Sequence, residues 1–400
     1  MYSNTRPDQT NAVTPVMLTR RIQSEISMLT HTVLCISHLR WNSVFQRPQH
    51  LLSRAAAHAL VLFFEEPVEA FTGAPWLETQ ETETGVRLLI PHLPPGGSEE
   101  ERERSQRTLL DAYLQEIDVR DLVLWYYSPM SFPFTNHLDA RVTVYDCMDE
   151  LSAFRHAPPR LLDMEERVIA AADVVFTGGQ SLYNAKRHRH ENIHLFPSSV
   201  DVEHFKKARA ALPDPADQSA IRTPRLGFFG VIDERFDTQL LAELARARPD
   251  WQFVIIGPVV KISQDDLPRG DNIHYLGKKE YAELPGYIAH WDAAVMPFAM
   301  NESTRFISPT KTPEFLAAGC PVVSTPIVDV VSRYGDTGVV KIAANAAEFE
   351  TAIESVLLLK KDKAALLKRV DDVLAGMSWD RTWNEMQMEI EKCIPRTQTV

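Results

Sequence analysis

The sequence predicts an α/β protein with two Rossmann-like parallel-sheet domains facing a central cleft, and three observations predict it. Short apolar runs such as HTVLCIS, LVLFFEE and DVVFTGG alternate with amphipathic stretches through the first half. That is the pattern of strands buried on both faces, with helices crossing between them. A second alternating set begins at RLGFFG, after a stretch over 206–223 that is rich in Ala, Pro and Asp and has no apolar period. Finally, 400 residues with 44% apolar content suffice for two cores of ordinary size. The expected division is a disordered lead-in over 1–30, a first domain over 31–205 and a linker over 206–223. A second domain follows over 224–375, and then a closing helix over 376–400.

In the first half, a strand over 31–37 runs into the donor-rich loop HLRWNSVFQR, which ends at Pro48, a residue suited to opening a helix. Loops leading from a strand's carboxyl end to a helix are where open α/β sheets bind ligands. Arg40, Trp41, Asn42 and Arg47 are therefore candidate ligand contacts, or else plain surface residues. The strand RVTVYDCMDE ends in Asp146, Asp149 and Glu150, which suit a general base, a hydrogen bond to sugar hydroxyls or a metal. A turn or helix cap is the alternative for at least one of them. No DxD motif in metal-binding surroundings is present, so no metal is expected. The helix SLYNAKRHRH closes on Lys186, Arg187, His188, Arg189 and His190. Cations there complement the helix dipole, and the sharper alternative is a patch that meets an anionic membrane or acceptor.

The stretch ISPTKTPEFLAAGCPVVSTP reads as loop, short helix, tight turn and buried strand. Thr312 is the expected cap, Pro313 the first helical residue, Glu314 the first-turn carboxylate and Gly319 the left-handed stop. A helix start offers free amides for a diphosphate, with Lys311 as a mobile charge beside them. Glu314, which only accepts hydrogen bonds, suits a ribose diol. An ordinary crossover helix is the competing reading. In the last segment Trp379 and Trp383, four apart, share one helical face that packs on protein.

A formal charge of −12 argues against a duplex nucleic-acid binder. The four cysteines are far apart and form no CxxC pair, so reduced thiols are expected and a zinc site is not. No run approaches the ~18 apolar residues of a membrane span, and the polar N-terminus lacks a signal-peptide core. A cytoplasmic protein is expected, peripheral at the inner membrane face if its acceptor is lipid-linked.

Several motifs together resemble the retaining GT-B glycosyltransferases of the family-4 group, over most of the chain after residue 30. They are PSSVDVEHF, FFG, IIG, NIHYLG, PTKTPEFLAAGCPVVST and SWDRTW. FQRPQHL and YDCMDEL resemble a bacterial polysaccharide-associated branch of that superfamily. The resemblance implies that Glu314 holds the ribose of a nucleotide-sugar. It also places Thr310, Lys311 and Thr312 near the diphosphate, has Gly230 and Gly257 face the donor, and sets Gly277 near the base. Arg235 would supply the charge that the family carries just after the first glycine, where this chain has Val231. The first Glu of the family's E-x7-E pattern is Phe306 here, with Glu302 nearby but out of register. The family often has His where this chain carries Tyr145, Asp146 or Asp149; Asp146, Asp149 and Lys311 are the expected catalytic groups, and SWDRTW implies a terminal helix that packs back on the first domain.

The function expected is transfer of a sugar from a nucleotide-sugar (UDP-sugar among them) to a glycan or lipid-linked acceptor, with retention, in bacterial surface polysaccharide synthesis. The first domain, through Arg40, Trp41, Asn42 and Arg47, would hold the acceptor. No cofactor is expected, because cationic side chains and amides take the place of a metal. The rivals are a nucleotide-sugar epimerase or hydrolase on the same fold, and a degenerate subunit that only binds.

Overall fold

The computed structural model describes residues 31–71 and 73–394. The lead-in expected over 1–30 lies outside the described residues, as do the last six positions of the closing helix segment. Two sheets are formed. The first contains β1 (Thr32–Ile36), β2 (Leu60–Phe64), β3 (Val68–Glu69), β4 (Trp76–Glu81), β5 (Val86–Leu93), β6 (Val123–Tyr126), β7 (Val142–Cys147), β8 (Val174–Thr177) and β9 (Ile193–Leu195). Its order is β3-β5-β2-β1-β6-β7-β8-β9, with β4 antiparallel on the outer side of β5 and the other pairings parallel. The second contains β10 (Arg225–Phe229), β11 (Gln252–Ile256), β12 (Ile273–Tyr275), β13 (Ala293–Met296), β14 (Val322–Ser324) and β15 (Val340–Ile342). Its order is β12-β11-β10-β13-β14-β15, all parallel.

Every residue of β1, β2, β10 and β11 is buried, which is why these strands read as unbroken apolar runs. The stretch from β3 to β5 was not expected from the sequence. β4 is a mostly exposed edge strand, WLETQE, without an apolar run. β5 contains Pro91, whose missing amide argues against a central strand. Pro91 falls where the pairing with β2 has ended at Leu89 and that with β3 begins at His92, so the missing donor disturbs neither ladder.

The closing helix, Trp379–Cys393, crosses back to the first sheet. Trp379, Trp383, Met386 and Ile390 recur on one face and join the core that contains Val33, Trp125 and Phe176. A cavity of about 300 Å³ lies beneath this helix, bordered by both His31 and Ile394. The stretch over 206–223 is no loose tether. Gln218 is fully buried, receives the Trp291 indole N–H on its Oε1 at 2.7 Å, and donates to the Tyr287 carbonyl at 3.2 Å.

The cysteines are all free, with Cys35, Cys147 and Cys320 buried and Cys393 part-exposed. Among the described residues no helix is long and apolar enough to cross a membrane. Two of the cations at 186–190 are tied up in ion pairs, whereas Arg187 and His188 are exposed. Lys186 is buried on Glu165 at 2.7 Å and also reaches Glu150, while Arg189 binds the other Glu165 oxygen at 2.7 Å.

Candidate active site between the two sheets

The carboxyl ends of both sheets face each other across a cleft. It holds a cavity of about 310 Å³ and, beside it, a chamber of about 140 Å³, with Val44, Gly230 and Lys311 on the walls of both. The floor is made by glycines. Gly230 ends β10, Gly257 ends β11, and a side chain on Gly257 would start 1.8 Å from the Gly230 carbonyl oxygen. Both have positive φ (155° and 142°), so the two loops pass back to back and leave bare backbone facing the cavity. Gly277 also has positive φ (69°), and its carbonyl accepts from the Gly257 amide at 2.9 Å, one step behind the cavity wall.

The cavity's cationic side comes from Lys278, Lys279 and Lys311. Lys311 opens the helix Lys311–Ala317. Its ammonium donates to Glu314 at 2.8 Å and Thr310 at 3.2 Å and sits 4.8 Å over the Phe229 ring. Glu314 is only 4% exposed, and burial raises its pKa against the pull of Lys311. Glu314 itself is on the wall of neither cavity; Lys311, which is bonded to it, is on both.

The cap expected of Thr312 is not there. Thr310 precedes the helix without a side-chain cap bond, Pro313 is the third helical residue, and Thr312 is fully buried with its hydroxyl 3.3 Å from Met296 Sδ. The reason is packing: the helix starts two residues earlier, and Thr312 fills the space behind β13.

Across the cleft, Asn42 and Trp41 line the cavity, and the Asn42 carbonyl meets Lys278 Nζ at 3.5 Å. Trp41 is largely buried edge-on against Phe63, 5.1 Å away. Arg40 does not line the cleft. It is held by Glu65 at 3.0 Å and the Pro67 carbonyl at 3.3 Å. Arg47 borders the chamber, but its guanidinium is fully engaged. It makes three bonds of 2.9–3.2 Å to Asp146 and one of 2.7 Å to the Phe196 carbonyl. Asp146, wholly buried behind it, has both oxygens occupied by that pairing and is not on the cleft wall. This buried bidentate pair gives Asp146 the task of holding Arg47.

Asp149 does reach the chamber, opposite Ser308, Thr310 and Lys311. Burial pushes its carboxyl up to about 6, with Arg235 opposing and Asp233 adding to the rise. Arg235 lines the same chamber, locked in a fork on Asp233 at 2.6–3.1 Å. Arg235 and Lys261 both lie over the ring of Phe154 from the first half, at 5.3 and 4.8 Å.

Two residues that the sequence did not single out, His38 and Tyr281, stand close to this junction. His38, directly after β1, has a buried Nδ1 without a partner, and burial drives its pKa down to about 4. Tyr281 stacks on His204 (4.2 Å) and on Phe45 of the first half (4.7 Å), closing one wall of the cavity. Phe306, at the position of the missing carboxylate, packs against the core on one face of the first sheet, while Glu302 is exposed at the start of a turn, Glu302–Thr304, whose other two residues are buried. Among the described residues no three His, Cys, Asp or Glu gather as a metal cage.

Comparison with known proteins adds the following. The family described as "Glycosyl transferases group 1" matches residues 223–358. A putative teichuronic acid biosynthesis glycosyltransferase, TuaH of Bacillus subtilis (strain 168), is 30% identical over 219 residues. That match covers 50% of this chain and 55% of TuaH, so the chain spans about half the length of its curated relative. Solved structures agree over far more of the chain. Sucrose-phosphate synthase from Thermosynechococcus elongatus superposes with a TM-score of 0.67 at 15% identity, covering 90% of this chain and 98% of its own. Anabaena HepE in complex with UDP and glucose gives 0.62 at 13% (90% and 99% covered). The catalytic domain of starch synthase IV from Arabidopsis thaliana, bound to ADP and acarbose, gives 0.63 at 12% (92% and 100% covered). At these identities the likeness is one of fold.

Proposed function

We propose, from the premise that this chain has the GT-B fold and carries a group 1 glycosyltransferase domain over residues 223–358, that it transfers a sugar from a nucleotide-sugar to a hydroxyl of a glycan acceptor. The observation that carries the reading is the cleft itself. Bare backbone at Gly230 and Gly257 and the ammonium of Lys311 line one cavity between the sheets, and Glu314 is buried behind Lys311, hydrogen-bonded to it at 2.8 Å. Those groups suit a diphosphate flanked by a ribose: amides and a cation for the phosphates, an acceptor-only carboxylate for the diol.

In this reading the second half holds the donor, and the acceptor enters from the side of Asn42 and Trp41. The acceptor oxygen forms a bond to the anomeric carbon as the bond from that carbon to the diphosphate breaks. Lys311, and Arg235 from the chamber wall, meet the charge that develops on the leaving diphosphate, so that no metal is needed. With retention of configuration, the acceptor proton passes to the departing phosphate oxygen on the same face. Asp149 is the carboxylate placed to orient the attacking hydroxyl. The likeness to TuaH supports an acceptor in bacterial surface polysaccharide, and the HepE and starch synthase complexes support UDP or ADP as the donor's nucleotide.

The test is thermal stabilisation by UDP, GDP, ADP and TDP, on wild type and on Glu314→Ala. A bound nucleotide must raise Tm by mass action, by an amount equivalent to about 2.7 kcal/mol at a hundredfold excess over Kd. One nucleotide should stabilise the wild type and lose most of that effect in the variant. No shift with any of the four at millimolar concentration would remove the donor site, and with it this function. Donor consumed equally fast without acceptor would point to a hydrolase or epimerase instead.

A further inference from the structure

The turn after β8, Thr177-Gly178-Gly179, starts the first-half helix Gln180–Lys186. The group that caps this start comes from the other half of the molecule. Asp329, in the helix Val328–Tyr334, accepts from the Ser181 backbone amide at 2.9 Å through its Oδ1. Asp329 is 6% exposed. Its second oxygen lies buried without a partner, as does the Ser181 hydroxyl. The approach is close enough to dictate glycine. A Cβ on Gly179 would start 2.2 Å from Asp329 Oδ2 and 2.8 Å from Ser308 Cβ. On the other side, a Cβ on Gly178 would start 2.9 Å from the Met148 backbone. Ser308 and Met148 both line the chamber, next to Lys311 and Asp149 respectively. The two-glycine turn is therefore a spacer between the loop bearing Asp149 and the loop bearing Lys311.

We propose that Asp329 is a positioning residue: its bond to Ser181, seated against Gly179, sets the closed register of the two halves and brings Asp149 over the Lys311 end of the donor cavity. The proposal rests on the glycosyltransferase reading for its effect on turnover, but not for its effect on shape. Among the described residues, this contact combines a buried acceptor from one half, a backbone donor from the other and a glycine that admits the approach. Asp329 lies outside both cavity walls, so its loss leaves the nucleotide's own contacts in place.

The experiment is small-angle scattering of the full chain, alone and with saturating UDP (or whichever nucleotide stabilises it), for wild type, Asp329→Ala, Asp329→Asn and Gly179→Ala. Nucleotide Kd and turnover are measured alongside. Asp329→Ala and Gly179→Ala should both enlarge the radius of gyration and cut kcat roughly 10- to 100-fold, the effect of one hydrogen bond to a charged group. Nucleotide Kd should stay within about twofold. Asp329→Asn keeps an oxygen that accepts from Ser181, so it should restore both shape and rate, which a role for bulk stability alone would not give. Unchanged scattering and turnover in Asp329→Ala, with nucleotide still bound, would overturn the proposal. If no nucleotide binds any variant, the proposed function falls, while scattering of the ligand-free proteins still decides the latch. Should Asp329→Ala fail to fold, Gly179→Ala carries the same expectation from the opposite side.

Discussion

Asp149 illustrates how a single side chain trades stability for use. Its carboxyl titrates at about 6 in the folded chain against an ordinary 3.8, because burial opposes the charged form. A raised carboxylate pKa means that the native state holds its proton more tightly than the unfolded chain. The charged form therefore costs stability, and the cost grows as pH rises from about 4 to about 6 and is complete above that. Asp149→Asn should consequently melt higher than wild type at pH 7–8, with the gain vanishing below pH 4. The same change should lower kcat by about 10²-fold and remove the acid limb near pH 6, if the ionised carboxylate orients the acceptor. Equal melting of the two proteins at pH 7.5, or an unaltered pH–rate profile, would count against this role. What depends on near neighbours was legible beforehand: the short helix that carries Lys311 and Glu314, and the left-handed Gly319 just past it, lie in one local motif. Arg47 and Asp146 were each singled out, but not as partners, because 99 positions separate them and only the β1–β6–β7 arrangement of strands brings them together. Asp329 and His38 gave no signal at all, since neither sits in a pattern that spacing can reveal.

Elements were read best where burial is two-sided. The fully buried parallel strands announced themselves as apolar runs, whereas β4, exposed along most of its length, had no such signature. The closing helix was visible through the spacing of Trp379 and Trp383. Its partner surface was visible only through the overall resemblance. Trp383, 8% exposed, lies 6.3 Å from Trp125 in a stacked arrangement at the base of the first sheet. Truncating it removes a large apolar contact and leaves a void that rigid strands do not fill. Trp383→Ala should cost about 3–5 kcal/mol in urea unfolding. A loss under about 1 kcal/mol would mean that the helix is not part of the folding unit of the first sheet.

At the scale of the whole molecule, the junction between the halves is rich in histidine kept neutral by burial. His50 stacks on Trp379 (4.6 Å) and meets Phe45 edge-on (4.7 Å); His204 stacks on Tyr281 (4.2 Å). The pKa values of His38, His50 and His204 are all lowered, burial being the largest cause in each. A lowered histidine pKa means that the unfolded chain takes up the proton first. The stability these groups contribute is therefore present above about pH 6.5 and is lost as pH falls toward their folded values. Melting temperature should fall steadily from pH 7 to pH 5. His50→Phe, which keeps a ring for the stack but cannot titrate, should fall less steeply, and parallel pH slopes for the two proteins would contradict this assignment.

The return of the closing helix has one more consequence, for how such a chain is assembled and rebuilt. His31 and Ile394 border the same cavity under the first sheet, so the first and last described residues lie at one place. Everything between β9 and Trp379 is then a loop-out from a structure whose two ends are already together. Topologically, the second half is a cassette inserted into its host. A cassette can be exchanged for one of different nucleotide preference while the host's two ends stay where they are, and only two crossing points need rejoining.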